Sequence, residues 1–318
     1  MQEPRPLQND ILKDFTLTWA GECSAWECDE LGHMNMRHYV HKVDEARRGL
    51  IIRLGLPRAF HSGISSTVRS RDLHIKYQGE ARPGDPLRID SAIINLMEST
   101  ARLCHIMTHR DGRIAATIVE TVEHVYLPED KVFPWPKRVC EAAPEFTAAL
   151  PVPAKARNVD ATASFKGMSL SALETAGAKV IGAGVFGVSE LDLTNRVTMG
   201  SFFGRTTSSI AWFREGWPEF EDPTYQAGGM SAALLEMRAV IHSYPQSGDA
   251  YAYLPAMTSA NSYTRQFVHN LVDPISGKSW VSMQASGCKF DLNKRKLVKA
   301  TEADLEQLEK GMVKGVSA

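Results

Sequence analysis

The chain of 318 residues repeats its own sequence signals at a nearly constant distance. The pattern Glu-x-Asp stands at residues 27–29 and again at residues 190–192, which is 163 positions later. Residues 276–292 align without a gap to residues 111–127 at an offset of 165. An offset that is kept over the length of a domain indicates a duplicated unit. We therefore expect two copies of one fold and not two unrelated domains.

Within the first copy, one helical pattern precedes a run of strand patterns. Apolar residues recur near the helical period from Met36 to Leu54, and Gly55 and Pro57 end the pattern. Turn sequences at 82–85 and 110–112 separate segments typical of strands. The predicted strands are 15–19, 73–77 (half-buried, by its alternation), 87–96, 101–109 and 114–127. A long helix followed by antiparallel strands predicts an α+β fold.

Composition narrows the functional classes. A formal net charge of −1 gives no electrostatic reason to expect nucleic acid or an anionic membrane as partner. No run of about 18 apolar residues predicts a membrane span, and residues 1–10 lack an apolar signal core. Five cysteines without a Cys-x-x-Cys pair favour a reducing compartment. We expect a globular, cytoplasmic protein.

A polar loop delivers the chain into the predicted helix. Asp29, Gly32, His33 and Asn35 lie within seven residues, directly before the helix. Asn35 is a favourable N-cap residue, and the free amides of a first helical turn stabilise negative charge. Acyl transfer needs a carboxylate base or nucleophile beside such donors. The loop therefore predicts acyl-transfer chemistry.

Nine positions carry a resemblance to a known family: Asp29, Gly32, His33, Asn35, Tyr39, Asp44, Glu45, Ala46 and Arg47. Their spacing resembles the 4-hydroxybenzoyl-CoA thioesterase-like branch of the hotdog-fold superfamily, over residues of about 14 to 127. The resemblance implies a curled antiparallel sheet around a long central helix, and an acyl-CoA thioesterase activity. Single hotdog units usually pair, so a tandem chain is expected to form an internal pseudo-dimer.

We expect three parts. Residues 1–130 form a hotdog domain with the intact acid loop, residues 131–160 form a proline-rich linker with a short helix near Glu141, and residues 161–318 form a second, degenerate hotdog domain with a C-terminal tail. The second copy keeps Asp192 but replaces three loop residues: Gly32, His33 and Asn35 become Asn195, Arg196 and Thr198. We interpret this copy as chemically eroded.

The residue roles follow from the chemistry and the resemblance. We predict Asp29 as the catalytic carboxylate, and the amides near Asn35 and Met36 as oxyanion donors. His33 would contact the substrate or orient Asp29, and Gly32 would permit an unusual backbone angle or close approach of a ligand. Each of these residues also has a purely structural interpretation: an Asx-turn for Asp29, a structural role for His33 and a helix cap for Asn35.

Further residues are predicted in supporting roles. Glu27 would face the same way as Asp29 on an extended loop. In another hotdog branch a helix carboxylate does the chemistry, which makes Glu45 a candidate, with ion pairing as the alternative. Arg69 and Arg71 would meet coenzyme A phosphates or form a solvated face. Aromatic residues in the second half would line an acyl pocket or fill a core: Trp212, Trp217, Tyr251 and Tyr253.

The predicted reaction converts acyl-CoA and water into a carboxylate and free coenzyme A. We expect no cofactor and no metal. Coenzyme A enters the reaction as part of the substrate. One alternative function is that of a hotdog enoyl-CoA hydratase or dehydratase. The site loop of such enzymes resembles Asp-x-Asn-Pro-x-His, and this chain has no Asn-Pro in its loop. The other alternative is a non-catalytic acyl-CoA-binding module. The acyl group, an acyl carrier protein as donor, and further pairing into a homo-oligomer are left open.

Overall fold

The structure, a computed structural model, describes residues 11–214 and 229–318. Residues 1–10, which were examined for a signal core, and Trp217 lie outside the described residues. The chain divides into two compact units. Unit 1 comprises the described residues up to Ala156 together with Asp192–Phe203, and unit 2 comprises Arg157–Leu191 and the described residues from Gly204 to Ala318.

Unit 1 is an antiparallel sheet with one long helix. The helix α1 is Met36–Arg53, and its bounds agree with the predicted apolar pattern. The strands are β1 (Thr16–Glu22), β2 (Ser66–Tyr77), β3 (Pro86–Leu96), β4 (Thr100–His109), β5 (Ile114–Tyr126) and the short β6 (Lys131–Val132). The strand order is β1-β3-β4-β5-β2, and β6 pairs with β5. This is the predicted α+β layout.

The core of unit 1 lies between α1 and the sheet. Leu50 and Ile51 of α1 are fully buried against a cluster that contains Ile93, Leu103 and Val122 of the strands. Burying such side chains stabilises the fold by about 1.5–3 kcal/mol each. The apolar stripe of α1 therefore fixes which helix face meets the sheet.

The strand β2 differs from its prediction. It begins at Ser66, seven residues before the predicted start, and neighbouring Leu73 and His74 are both buried. The predicted strand is thus confirmed, whereas the exposed position expected for His74 was wrong. The sheet is covered on both faces, since Ala154 packs with Val119 in a cluster separate from the core under α1. Strands buried on both faces lose the alternation that marks a solvated face.

The predicted linker packs against unit 1. It contains the helix α2 (Lys137–Ala142), which confirms the predicted short helix. Trp135 and Val139 are buried in the core cluster of unit 1, and the Ala148 amide donates to the Ile93 carbonyl at 3.0 Å. Residues 131–156 thus form an ordered cover of the unit.

Unit 2 is likewise built on antiparallel strands. Its strands are β7 (Gly182–Val185), β8 (Met230–Ile241), β9 (Ala250–Ala260), β10 (Arg265–Val272), β11 (Ser279–Asp291) and the short β12 (Lys296–Leu297). Their order is β7-β9-β10-β11-β8, and β12 pairs with β11. In each unit the first strand is followed in space by the third, fourth, fifth and second. The strand order of unit 1 is therefore repeated in unit 2.

The described helices of the second half are shorter than α1. They are α3 (Leu170–Thr175), α4 (Met199–Ser208), α5 (Ile210–Arg214) and α6 (Glu302–Lys310), the last of which lies in the predicted C-terminal tail. The first five residues of α4, up to Phe203, are grouped with unit 1. Among the described residues, no helix combines the length and apolar character that crossing a membrane requires.

Candidate functional site

The acid loop is a short, closed turn between β1 and α1. A backbone bridge joins Cys28 to Met34, and the Asp29 amide donates to the His33 carbonyl at 2.9 Å. Gly32 has a φ of +72°, and this left-handed angle is accessible to glycine at little cost. The two arms of the loop therefore lie side by side, as predicted for a tight turn at Gly32.

Asp29 holds the turn together through one oxygen. Its Oδ1 accepts hydrogen bonds from the Leu31 amide at 2.9 Å and the His33 amide at 3.3 Å. This is the Asx-turn geometry that the sequence offered as the structural alternative. Its Oδ2 makes no hydrogen bond to any described residue, so one oxygen of the carboxylate builds the loop and the other is available for chemistry.

Asn35 caps α1. Its Oδ1 accepts from the Arg37 amide at 3.1 Å, and its carbonyl accepts from the His38 amide at 2.9 Å. The Asn35 amide in turn donates to the Glu27 carbonyl at 2.8 Å. Met36 is the first helical residue, whose N–H has no intrahelical acceptor by helix geometry. Of the two predicted oxyanion positions, Met36 therefore offers the available amide.

The His33 side chain reaches the turn that follows β2. Its Nε2 lies 3.3 Å from Glu80 Oε2 and 3.4 Å from Arg82 Nη2. The same turn is clasped to the loop by the Met34 amide, which donates to the Ala81 carbonyl at 2.8 Å. Glu80 was not identified from the sequence, because nothing local signals that it meets a residue 47 positions earlier.

Tyr39 links α1 to this turn as well. Its buried hydroxyl accepts a hydrogen bond from the Ala81 amide at 3.2 Å. Burial raises the pKa of Tyr39 above its ordinary value, so the hydroxyl stays protonated near neutral pH. Tyr39 therefore fixes the start of α1 against the residues that contact His33.

Glu27 is committed to the loop scaffold. Its Oε1 accepts from Lys42 Nζ at 2.8 Å, and its Oε2 accepts from the Ser24 amide at 2.8 Å. Lys42 is buried and also donates to the Glu22 carbonyl at 3.0 Å. Both oxygens of Glu27 thus have structural partners beside the predicted catalytic carboxylate.

Glu45 and Asp44 bind partners on the protein surface and within α1. The exposed Glu45 accepts from Trp19 Nε1 at 3.0 Å. Asp44 forms ion pairs with Arg47 and with Arg48, which lie three and four residues further along the helix. The ion-pairing alternative therefore fits Asp44, whereas the contact of Glu45 is a hydrogen bond from an indole.

Arg69 and Arg71 lie against carboxylates of unit 1. Arg69 Nη1 donates to Asp130 Oδ1 at 2.6 Å, and its Nε lies 3.6 Å from Glu123 Oε2. Arg71 Nε lies 3.8 Å from Glu123 Oε1. Arg196 adds a third guanidinium 3.8 Å from Asp130. Both predicted arginines therefore lie against acidic side chains of unit 1.

A buried polar network under α1 was missed by the sequence analysis. Arg47 Nη1 donates to Glu120 Oε2 at 2.9 Å, and His105 Nε2 lies 3.0 Å from Glu120 Oε1. The network continues from His105 to the Ser91 hydroxyl at 2.6 Å and on to Thr18 at 2.7 Å. Burial alone would raise the pKa of Glu120, but Arg47 and His105 lower it to about 2.

The second acid loop keeps the backbone geometry of the first. Asp192 Oδ1 accepts from the Thr194 amide at 2.7 Å and the Arg196 amide at 3.2 Å. Its own amide donates to the Arg196 carbonyl at 2.9 Å. Asn195, at the position of Gly32, has a φ of +58°. The loop fold is therefore retained where the side chains around the carboxylate have changed.

The aromatic residues proposed for an acyl pocket lie in different environments. Tyr253 is fully buried, with its hydroxyl 2.6 Å from His269 Nδ1, and Tyr251 is buried too. Trp212 is 66% exposed. The two tyrosines are therefore core residues of unit 2.

Comparisons with known proteins point to thioesterases. Residues 23–143 match the family model of the thioesterase-like superfamily. Over 120 residues the chain is 23% identical to the L-carnitine dehydrogenase/betainyl-CoA thioesterase of Agrobacterium fabrum. That alignment covers 38% of this chain and 25% of the relative, so the chain matches about a quarter of that protein's length.

Two solved structures resemble the chain over both halves. One, from Lactobacillus plantarum and assigned as an oleoyl thioesterase, gives a TM-score of 0.64 at 10% identity, and the alignment covers 87% of this chain and 98% of that one. The 12:0-ACP thioesterase of Umbellularia californica gives 0.60 at 12% identity, with 88% and 96% covered. At these identities the likenesses show a shared fold alone, and this fold agrees with the hotdog fold that the resemblance implied.

Proposed function

We propose that the chain is an acyl-CoA thioesterase whose reaction takes place at the first acid loop. The observation that carries the proposal is the arrangement of Asp29 and Met36. A carboxylate with one uncommitted oxygen stands on one arm of a closed loop, and a helix with an available N1 amide begins on the other. The match of residues 23–143 to a thioesterase-like family supports this reading.

Asp29 acts on the thioester carbonyl in one of two ways. As a base, it removes a proton from water, hydroxide adds to the carbonyl carbon, and the tetrahedral intermediate expels the thiolate. As a nucleophile, it displaces the thiolate and forms an acyl anhydride that water then hydrolyses. A thiol titrates near ~8.5, so neither route needs a strong general acid for the leaving group.

The developing oxyanion is stabilised by the amide of Met36. Asn35 holds the first turn of α1 in place, and removal of one such donor typically costs ~10²–10³-fold in rate. His33, which lies against Glu80 and Arg82, forms part of the proposed site beside the Asp29 carboxylate. No cofactor or metal takes part in the proposed reaction.

Coenzyme A is the proposed thiol carrier, and the guanidinium groups of Arg69 and Arg71 would meet its phosphates. The curated relative is a betainyl-CoA thioesterase by name, whereas one structural neighbour is an ACP thioesterase. We further propose that the two copies form an internal pseudo-dimer, supported by their common strand order and loop geometry. A cytoplasmic location and further homo-oligomers stay predictions.

A thiol-release screen tests the function. The full chain is incubated with acyl-CoAs that differ in acyl length, branching and charge, together with one enoyl-CoA, and free thiol is followed by a chromogenic disulfide. A thioesterase releases thiol from at least one saturated acyl-CoA. A hydratase would consume the enoyl double bond without releasing thiol, and a binding module would do neither, so both results contradict the proposal.

A further inference from the structure

Two cysteine side chains lie side by side in the acid loop. Cys23 Sγ and Cys28 Sγ are 3.6 Å apart. A disulfide bond is about 2.05 Å long, so a movement of roughly 1.5 Å would bring the two sulfurs to bonding distance. We propose that Cys23 and Cys28 are a thiol oxidation site, which hydroperoxides convert into a reversible disulfide that inactivates the loop. The inactivation, though not the disulfide, rests on the proposed thioesterase function.

The two thiols differ in access, which sets the order of events. Cys23 is fully buried, whereas Cys28 is partly exposed. Burial, together with the hydrogen bond to Cys28, raises the pKa of Cys23 to about 12, so Cys23 remains a thiol at neutral pH. Cys28 is therefore the thiol that an oxidant meets first.

The chemistry balances with hydrogen peroxide as oxidant. The Cys28 thiolate attacks one peroxide oxygen and becomes a sulfenic acid, with release of hydroxide that is protonated to water. The Cys23 thiol then attacks the sulfenic sulfur, loses its proton and expels a second water. Two thiols are oxidised to one disulfide while one peroxide is reduced to two waters.

The sulfurs are not needed to build the loop. At the same offset of 163, the second loop has Phe186 and Leu191 in place of the two cysteines, yet it keeps the Asx-turn at Asp192. A purely structural role for a thiol pair would not predict its replacement in a loop of the same shape. The thiols are thus a feature of the intact copy alone.

The bond would move the catalytic carboxylate. Cys23 is fixed by its amide, which donates to the Asp85 carbonyl at 3.0 Å, and by its carbonyl, which accepts from the Gly84 amide at 2.8 Å. Cys28 is held by contacts within the loop itself, the bridge to Met34 and the hydrogen bond of its amide to the Ala25 carbonyl at 3.3 Å. Closing the gap between the sulfurs would therefore pull on the loop, and Asp29 is the next residue. A displacement of about 1 Å of a catalytic group typically costs ~10²-fold in rate.

The test uses the full chain with Cys140→Ser, which removes the exposed cysteine. The protein is treated with hydrogen peroxide, the excess is removed with catalase, and remaining thiols are alkylated before peptide mass analysis. We expect the peptide with Cys23 and Cys28 to lose two hydrogen atoms and escape alkylation. Thiol release should fall ~10²-fold and return with dithiothreitol. Cys28→Ser and, independently, Cys23→Ala should keep their turnover after the same treatment.

Three results would overturn the proposal. If both cysteines remain open to alkylation after peroxide, there is no disulfide. If the disulfide forms but turnover is unchanged, it does not inactivate the loop. If both variants lose turnover like the parent, another residue is the target. Should neither redox state hydrolyse any acyl-CoA, the proposed function fails, while the mass measurement still decides whether the oxidation site exists.

Discussion

Lys42 Nζ donates to Glu27 Oε1 at 2.8 Å beneath the acid loop. The other copy repeats this ion pair, because Arg205 Nε donates to Glu190 Oε1 at 2.8 Å, with both residues 163 positions later. A cation on the helix therefore holds the acidic residue two positions before the loop aspartate in each copy. The second copy therefore keeps this ion pair, although the residues around its loop carboxylate have changed.

Glu27→Gln should weaken the first loop. Lys42 is 6% exposed, so loss of its charged partner leaves a buried ammonium with neutral acceptors alone. We expect a stability loss of about 1–3 kcal/mol, measured by urea denaturation, together with lower turnover. Glu190→Gln is the matched control, which should lower stability without changing turnover. Equal turnover in the two variants would show that the ion pair of Glu27 with Lys42 does not support the reaction.

Gly32 should tolerate asparagine better than alanine. Its φ of +72° lies in the left-handed region, and a Cβ there would meet no atom within 4 Å. Backbone strain alone therefore decides the cost, which is roughly 1–2 kcal/mol for an ordinary residue. Asn195 already adopts this conformation at the corresponding position. Thermal unfolding should rank wild type, Gly32→Asn and Gly32→Ala in descending stability, and the reverse order of the two variants would contradict this account.

Acid should destabilise unit 1 through Glu120. The pKa of this carboxyl is lowered from 4.5 to about 2 in the folded chain, so the ionised form stabilises the fold at pH values above 4.5. That contribution is lost as the pH falls from 4.5 towards 2. Urea midpoints measured over this range should fall more steeply for wild type than for Glu120→Gln. Parallel curves would show that the network with Arg47 does not carry this pH dependence.

Gly200 should be intolerant of a side chain because of His41. A Cβ at Gly200 would lie 2.6 Å from His41 Cδ2, which is closer than van der Waals contact permits. Alanine would gain about 1 kcal/mol from helix propensity, but the overlap should outweigh this by about 1–3 kcal/mol. The double variant His41→Ala/Gly200→Ala should recover stability relative to Gly200→Ala. If the stability changes of the two single variants simply add up in the double variant, the contact between His41 and Gly200 is contradicted.

Local signals in the sequence predicted α1, the turn at Gly32 and the cap at Asn35, because each depends on residues within one or two helical turns. The extent of β2 was underestimated, since residues 66–72 are mostly polar and their partners come from other parts of the chain. Thr67 donates to the Ala59 carbonyl at 2.8 Å, and Arg69 donates to Asp130 at 2.6 Å. The contact of His33 with Glu80 and the ion pair between Arg47 and Glu120 join residues 47 and 73 positions apart. Nothing in the sequence alone identifies such long-range partners.

The sequence left two interpretations of Asp29 open, a catalytic carboxylate and an Asx-turn residue. The structure shows that Asp29 caps the turn, as Asp192 does in the second copy. A loop aspartate is therefore explained by folding alone, and its proposed chemistry depends on the second oxygen and on the amide of Met36. This distinction determines the design of the decisive variant.

The most direct test compares Asp29→Asn with Asp192→Asn by thiol release from the best acyl-CoA of the screen. Asparagine keeps an Oδ1 that accepts the two loop amides, so the turn persists while the charge and the base are removed. The account predicts that Asp29→Asn loses ~10²–10⁴-fold in turnover while still binding acyl-CoA, and that Asp192→Asn stays near wild type. Near-normal turnover in Asp29→Asn, or an equal loss in Asp192→Asn, would contradict it.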